Sequence, residues 1–323
     1  MAEILLCRAG SGESIEPNLR EDSMNSGKLY ILQYRPGGEI IEMDTDGDNH
    51  RTLVGNLLGN VDGIVIDKKT RALYWTNMGP AIGPSEGEFF QADGSIECIG
   101  LNGANRRLLV AHGLTVTPKQ VTADFDAGLL YWCDREGMRV MRSNLDGSNV
   151  AVLVRNGVFP ADSRDVMRHC VGIAVDPVNR YIYWTQKGPP DGGKGRIFRA
   201  GLELPKDQQP ENRTDIELLI DHLPEPIDLE LDTKNNLLYW TDRGNLDGGN
   251  SLNRARIGAK QLENHEVLAT GLQEGIGLAI DHANQRAFTT ELGGEVRVAS
   301  LRPNTQFTTI AKLGILTGIA YVA

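Results

Sequence analysis

The stretch PIDLELDTKNNLLYWTD, residues 226–242, pairs a short alternating segment ending in Asp with an aromatic segment ending in Tyr-Trp-Thr-Asp. The same grammar recurs as VDGIVIDKKTRALYWTN from Val61, VTADFDAGLLYWCD from Val121, CVGIAVDPVNRYIYWTQ from Cys170 and GIGLAIDHANQRAFTTE from Gly275. The Asp that closes each first half is read at positions 67, 126, 176, 232 and 281, at intervals of 59, 50, 56 and 49 residues. Units of that length, each with four short strands, are the signature of propeller blades. Third strands such as RVMRSNL and RIFRAGL follow a loop. LDGSN and LNGAN then supply hairpin turns whose Asp-Gly and Asn-Gly tolerate positive φ.

Five complete units leave one split between the chain ends. LTGIAYVA at the C-terminus reads as a first strand, and GKLYILQY, GEIIEMD and NHRTLVG near the N-terminus as second, third and fourth strands. Pairing them closes the ring and removes its free edges. The expectation is all-β: a six-bladed β-propeller over residues 27–323, with residues 1–26 as a tail.

The repeated Tyr74-Trp75-Thr76-Asn77, Tyr131-Trp132-Cys133-Asp134, Tyr183-Trp184-Thr185-Gln186 and Tyr239-Trp240-Thr241-Asp242 resemble the YWTD repeats of the low-density lipoprotein receptor family, over roughly residues 27–323. The resemblance implies the six-bladed fold. Receptor members bind proteins and sit between EGF-like modules, which this sequence lacks, so the receptor role is not carried over. Free-standing propellers of this type resemble microbial proteins of natural-product pathways, among them hetero-Diels–Alderases of tropolone sesquiterpenoid biosynthesis.

Bulk properties narrow the partners. The 323 residues carry 33 Lys+Arg against 43 Asp+Glu, a net charge of -10 that disfavours nucleic acid and anionic membranes. No apolar run is long enough to span a bilayer, and the first residues lack the basic start and long apolar core of a secretory signal. A cytoplasmic location follows as an expectation. The four cysteines, Cys7, Cys98, Cys133 and Cys170, form no C-x-x-C pair and are read as buried thiols.

Superposing the first strands separates two faces. One is apolar throughout, as in Ile64/Ile66 and Leu229/Leu231, and packs between blades. The other reads Gly63/Val65, Thr122/Asp124, Gly172/Ala174, Asp228/Glu230, Gly277/Ala279 and Gly318/Ala320, and should line the axis. Carboxylates in a narrow channel are desolvated and repel one another, which raises pKa values. Asp124, Asp228 and Glu230 are therefore candidate catalytic groups, with His169, which stands just before a channel strand. Thr122, Asp62, Arg168, Glu225, Phe89 and Phe90 are candidate substrate contacts, on the channel or on the rim loops that lead into it. Three other readings of the carboxylates stand beside catalysis: solvation of the tunnel, ligand binding, and a Ca²⁺ or Mg²⁺ ion held by oxygen donors.

Other motifs fail in context. Gly83 to Gly87 fits a nucleophile elbow but lies in a Gly/Pro-rich loop of a β repeat. Gly188 to Gly195 lacks the Ser/Thr and following helix of a P-loop. DTDGDNH from Asp44 has Gly55 where a calcium loop needs its bidentate Glu. With no cofactor motif or nucleophile, the expected function is a cofactor-independent enzyme acting on a largely apolar small molecule in the central pocket. Its chemistry would be a cyclisation of hetero-Diels–Alder type or acid/base lyase or isomerase work. The alternative is a scaffold that binds a protein partner on the rim.

Overall fold

A computed structural model of the chain describes residues 27–34, 38–81 and 88–323. Gly83 to Gly87, the proposed tail and Cys7 lie outside these residues. Six antiparallel four-stranded sheets stand around one axis. Blade one runs through Val61–Asp67, Ala72–Asn77, Ser95–Gly100 and Arg107–Val110, and blade two through Pro118–Asp124, Leu129–Asp134, Arg139–Asn144 and Ala151–Arg155. Blade three is Ile173–Asp176, Tyr181–Gln186, Gly195–Gly201 and Glu217–Leu223; blade four is Glu225–Asp232, Leu237–Arg243, Ser251–Ile257 and Leu262–Thr270. Blade five is Gly275–Asp281, Arg286–Glu291, Glu295–Ser300 and Thr308–Lys312. In blade six the C-terminal Leu316–Val322 pairs with Lys28–Gln33, followed by Gly38–Asp44 and Arg51–Leu57. The first and last described strands thus share one sheet, as the split repeat requires.

The repeated tetrapeptide has a structural explanation. The Tyr and Trp are buried between blades: Trp75, Trp132 and Trp240 are 0 % exposed and Trp184 1 %. The Thr that follows is a clasp. First strands of blades one, two, four and five each shift register just before their axis-facing stretch, as between Val61 and Ile64, which frees a backbone N–H from the ladder. In blade one that N–H, of Gly63, donates to Thr76 Oγ1 at 2.8 Å, and the hydroxyl donates onward to the carbonyl of Lys119 in blade two at 2.6 Å. Thr185 joins Gly172 to Ile227, and Thr241 joins Asp228 to Ile276, in the same way. Blade two carries Cys133 instead, whose thiol donates to the Gly172 carbonyl at 3.2 Å.

One expected register is corrected. The strand-end Asp of blade two is Asp124, not the 126th residue. Asp124 Oδ1 accepts from Ala127 N at 3.0 Å, the same three-residue reach by which Asp67 caps Thr70 and Asp281 caps Asn284. Four residues after each such Asp the chain is left-handed, at Arg71, Arg180, Asn236 and Gln285; blade two has Gly128 there. Two acids two residues apart share a strand face, so alternation alone chose the wrong one. The distance to the aromatic decides: Tyr74, Tyr131, Tyr183, Tyr239 and Phe288 all stand seven residues after the true Asp.

Candidate functional site: a cavity on the propeller axis

The innermost strands stack their side chains in layers along the axis. A waist is formed by Gly63, Gln120, Gly172, Asp228, Gly277 and Gly318. Glycine is required where backbones touch: a Cβ on Gly172 would strike the Ile227 carbonyl, and one on Gly318 the Asp62 carbonyl. On one side of the waist, one residue per blade closes the axis. Val171, Ile227 and Ile276 form a buried apolar cluster with Leu292 packed against it. Asp62 and Lys119 make a buried ion pair, and Thr317 donates to the Val61 carbonyl at 3.0 Å.

On the other side lies a cavity of about 240 Å³, walled by Val65, Thr122, Ala174 and Ala320, with Asp228 and Gln120 at its base and Glu230 on its flank. Thr233 and Tyr321 also line it. Asp228 is 7 % exposed, and its carboxylate accepts two backbone N–H groups at 2.9 Å, from Leu229 and from Leu278 of the next blade. Those two bonds fix the group. Burial, then the neighbouring Glu230 charge, nevertheless hold its pKa well above the ordinary carboxylate range. Glu230 is half-buried, and its desolvation among the cavity walls pushes its carboxyl up to about 7. No Lys, Arg or His is among the side chains that line the cavity, so neither acid has a cationic partner there.

The expected site residues divide accordingly. Asp228, Glu230 and Thr122 are brought together. Asp124 is removed from the axis by the register correction and serves as a turn cap. Gln120 takes a waist position that the mistaken register hid; its Nε2 donates to Asp62 Oδ1 at 3.4 Å. The rim candidates lie away from the cavity. Asp62 is occupied by Lys119, and Glu225 by Lys187 at 2.9 Å and by Asp191 N at 2.9 Å. His169 Nε2 meets the Ser163 carbonyl at 2.7 Å, and burial lowers its pKa, so the neutral ring pins its own loop. Arg168 Nε pairs with Asp165 at 2.9 Å. Phe89 is buried with the Arg135 guanidinium 5.7 Å above its ring, while Phe90 lies 4.3 Å from that of Arg164. Among the described residues no three His, Cys, Asp or Glu side chains converge as metal ligands, and no helix is long and apolar enough to cross a membrane.

No protein-family model matches the chain. A curated protein of Pyricularia oryzae, "Low-density lipoprotein receptor-related protein 1", is 44 % identical over 315 residues, spanning 92 % of this chain and 98 % of its own. "3-hydroxyacyl-CoA dehydrogenase-like protein LAM1" of Cochliobolus heterostrophus is 37 % identical over 286 residues, 85 % of this chain, which spans only 58 % of that protein. Among solved structures, a chain of a nidogen/laminin complex shares the fold with a TM-score of 0.69 at 17 % identity, covering 92 % of this chain and 98 % of its own. The chain belongs to the low-density lipoprotein receptor-related, YWTD-repeat family of six-bladed propellers.

Proposed function

We propose that this member of the family uses the cavity on its axis as an acid–base site for a small molecule. The observation that carries the reading is Glu230, a cavity-lining carboxyl whose pKa of about 7 lets it take and give a proton near neutrality. Asp228 is the fixed partner. Its two backbone bonds hold it still, and its repulsion of Glu230 separates the proton losses of the pair. Thr122 offers a hydroxyl and Gln120 an amide to orient a polar substrate group, against apolar walls from Val65, Ala174 and Ala320.

The reaction class that fits is a non-redox proton transfer: an isomerisation in which Glu230 removes a proton at one atom and returns it at another, or an elimination in which it removes a proton and delivers it to the departing leaving group. A cavity of about 240 Å³ suits a compact substrate. For that reason we favour this branch over a cyclisation that joins two large fragments; typical pockets for drug-sized ligands are about 300–1,000 Å³. The scaffold reading has less support. Of the large apolar residues exposed among the described ones, Leu58 and Leu108 share a hollow on blade one.

The test is to incubate wild type and Glu230→Gln with a metabolite extract of the producing organism and compare them by mass spectrometry. A compound consumed by the wild type and untouched by the variant supports the site. Identical consumption by both, or none by either, overturns it.

A further inference from the structure

The axial cavity is rich in acceptors and poor in donors, and that asymmetry selects the charge of its guest. The backbone N–H groups of the waist are already committed. Those of Gly63, Gly172, Asp228 and Gly277 donate to the clasp hydroxyls of Thr76, Thr185, Thr241 and Thr290 at 2.8, 2.7, 3.2 and 3.2 Å. That of Gln120 donates to the Val171 carbonyl at 3.3 Å. The Leu229 and Leu278 N–H groups beside the base serve Asp228 itself. Among the described residues no Lys, Arg or His lines the cavity, so an anion would meet two carboxyls and no cation.

The acceptors are open. Each Asp228 oxygen takes one backbone N–H and keeps further lone pairs. Gln120 Nε2 donates to Asp62 Oδ1 at 3.4 Å, and Asp62 is itself held by Lys119, so the amide oxygen is the end left for the cavity. Thr122 adds a hydroxyl. The groups that act on Asp228 all oppose its ionisation: burial first, then the charge of Glu230 on its own strand, and Asp62 from the closed side of the waist. The buried Cys133 thiol is a further titratable neighbour of Asp228, and the Tyr321 phenol lines the cavity. A carboxyl so placed, already furnished with two N–H donors, lacks only a positive charge.

We infer that the substrate of the axial cavity is a compact primary amine bound as its ammonium ion. Its three N–H groups meet the Asp228 carboxylate, the Gln120 amide oxygen and the Thr122 hydroxyl, and its apolar body rests between Val65, Ala174 and Ala320. Charge-assisted bonds of this kind are the stronger ones. With the ammonium on Asp228, Glu230 is left to exchange protons. A metal ion fits less well, because Ca²⁺ takes six to eight oxygen ligands and only two carboxyls line the cavity. The inference rests on the reading of this cavity as the substrate site.

The experiment is isothermal titration calorimetry of the full chain with benzylamine as probe and benzyl alcohol and benzoate as neutral and anionic controls. It is run from about pH 5 to about pH 7 in buffers of different ionisation enthalpy. Because the cation favours the ionised form of Asp228, binding should release about one proton per ligand and tighten by up to about tenfold per pH unit. Both controls should bind at least about tenfold more weakly. Asp228→Asn should weaken benzylamine at least about tenfold and Thr122→Val about threefold. The pH profile and Thr122→Val decide the matter even if Asp228→Asn does not fold. The inference is overturned by benzylamine that does not bind at tens of millimolar, by benzyl alcohol binding as tightly, by an affinity indifferent to pH, or by calcium ions that displace the amine. Glu230→Gln should retain benzylamine binding while turnover is lost. Amine binding with no Glu230-dependent turnover overturns the acid–base reading alone, whereas Glu230-dependent turnover of a compound without basic nitrogen overturns the amine assignment alone.

Discussion

The two sides of the waist are built from the same strands yet treat their acids in opposite ways. On the closed side Asp62, 1 % exposed, is matched by Lys119, itself buried, and three apolar side chains from blades three to five complete the seal. On the open side Asp228 and Glu230 face a cavity with no basic side chain, and both pKa values rise. A buried carboxylate that is given a cation holds structure. One that is denied a cation keeps a proton it can exchange, at a cost in stability.

Breaking the closed side should have the largest effect. Lys119→Met strands Asp62 as an uncompensated buried charge and should lower the unfolding free energy by about 3–5 kcal/mol in denaturant titrations. Gly172→Ala forces the waist apart at the Ile227 carbonyl and should cost about 1–3 kcal/mol in the same measurement. Thr185→Val removes one clasp, leaving the Gly172 N–H without an acceptor and the Ile227 carbonyl without a donor, and should cost about 1–2 kcal/mol.

The open side should respond in the reverse sense. Glu230 has an ordinary carboxyl value of 4.5 when unfolded and about 7 when folded, so the native state binds the extra proton between these values. Its contribution to stability is complete below pH 4.5 and is lost as the pH rises through 7. Glu230→Gln should therefore flatten the fall in stability across that window, measured by unfolding at several pH values, while turnover disappears. The smallest effect belongs to Asp124→Asn. Losing charge at a turn cap should change stability by about 0.5 kcal/mol and leave turnover intact.

Fold and site were unequally legible in the sequence. The blades could be read because each repeat states its strands, turns and aromatics several times, and one mistaken strand end does not disturb the ring. The site could be read only where blades depart from the repeat. Asp228 and Glu230 stand out against Gly and Ala at the same positions in other blades. Gln120 did not, because the paired acids of blade two concealed its register. The division of the axis was illegible for another reason. Asp62 and Glu225 look like any other acids near a channel strand, and only the folded ring brings Lys119 and Lys187 to them.

The central claim is that the open side of the axis holds a carboxyl that is protonated near neutrality. Infrared difference spectroscopy of wild type against Glu230→Gln, recorded as a pH titration, observes that proton directly. The account predicts a protonated-carboxyl C=O band, absent from the variant, that disappears with a midpoint at about pH 7. A band already lost at the ordinary value of 4.5 would contradict it.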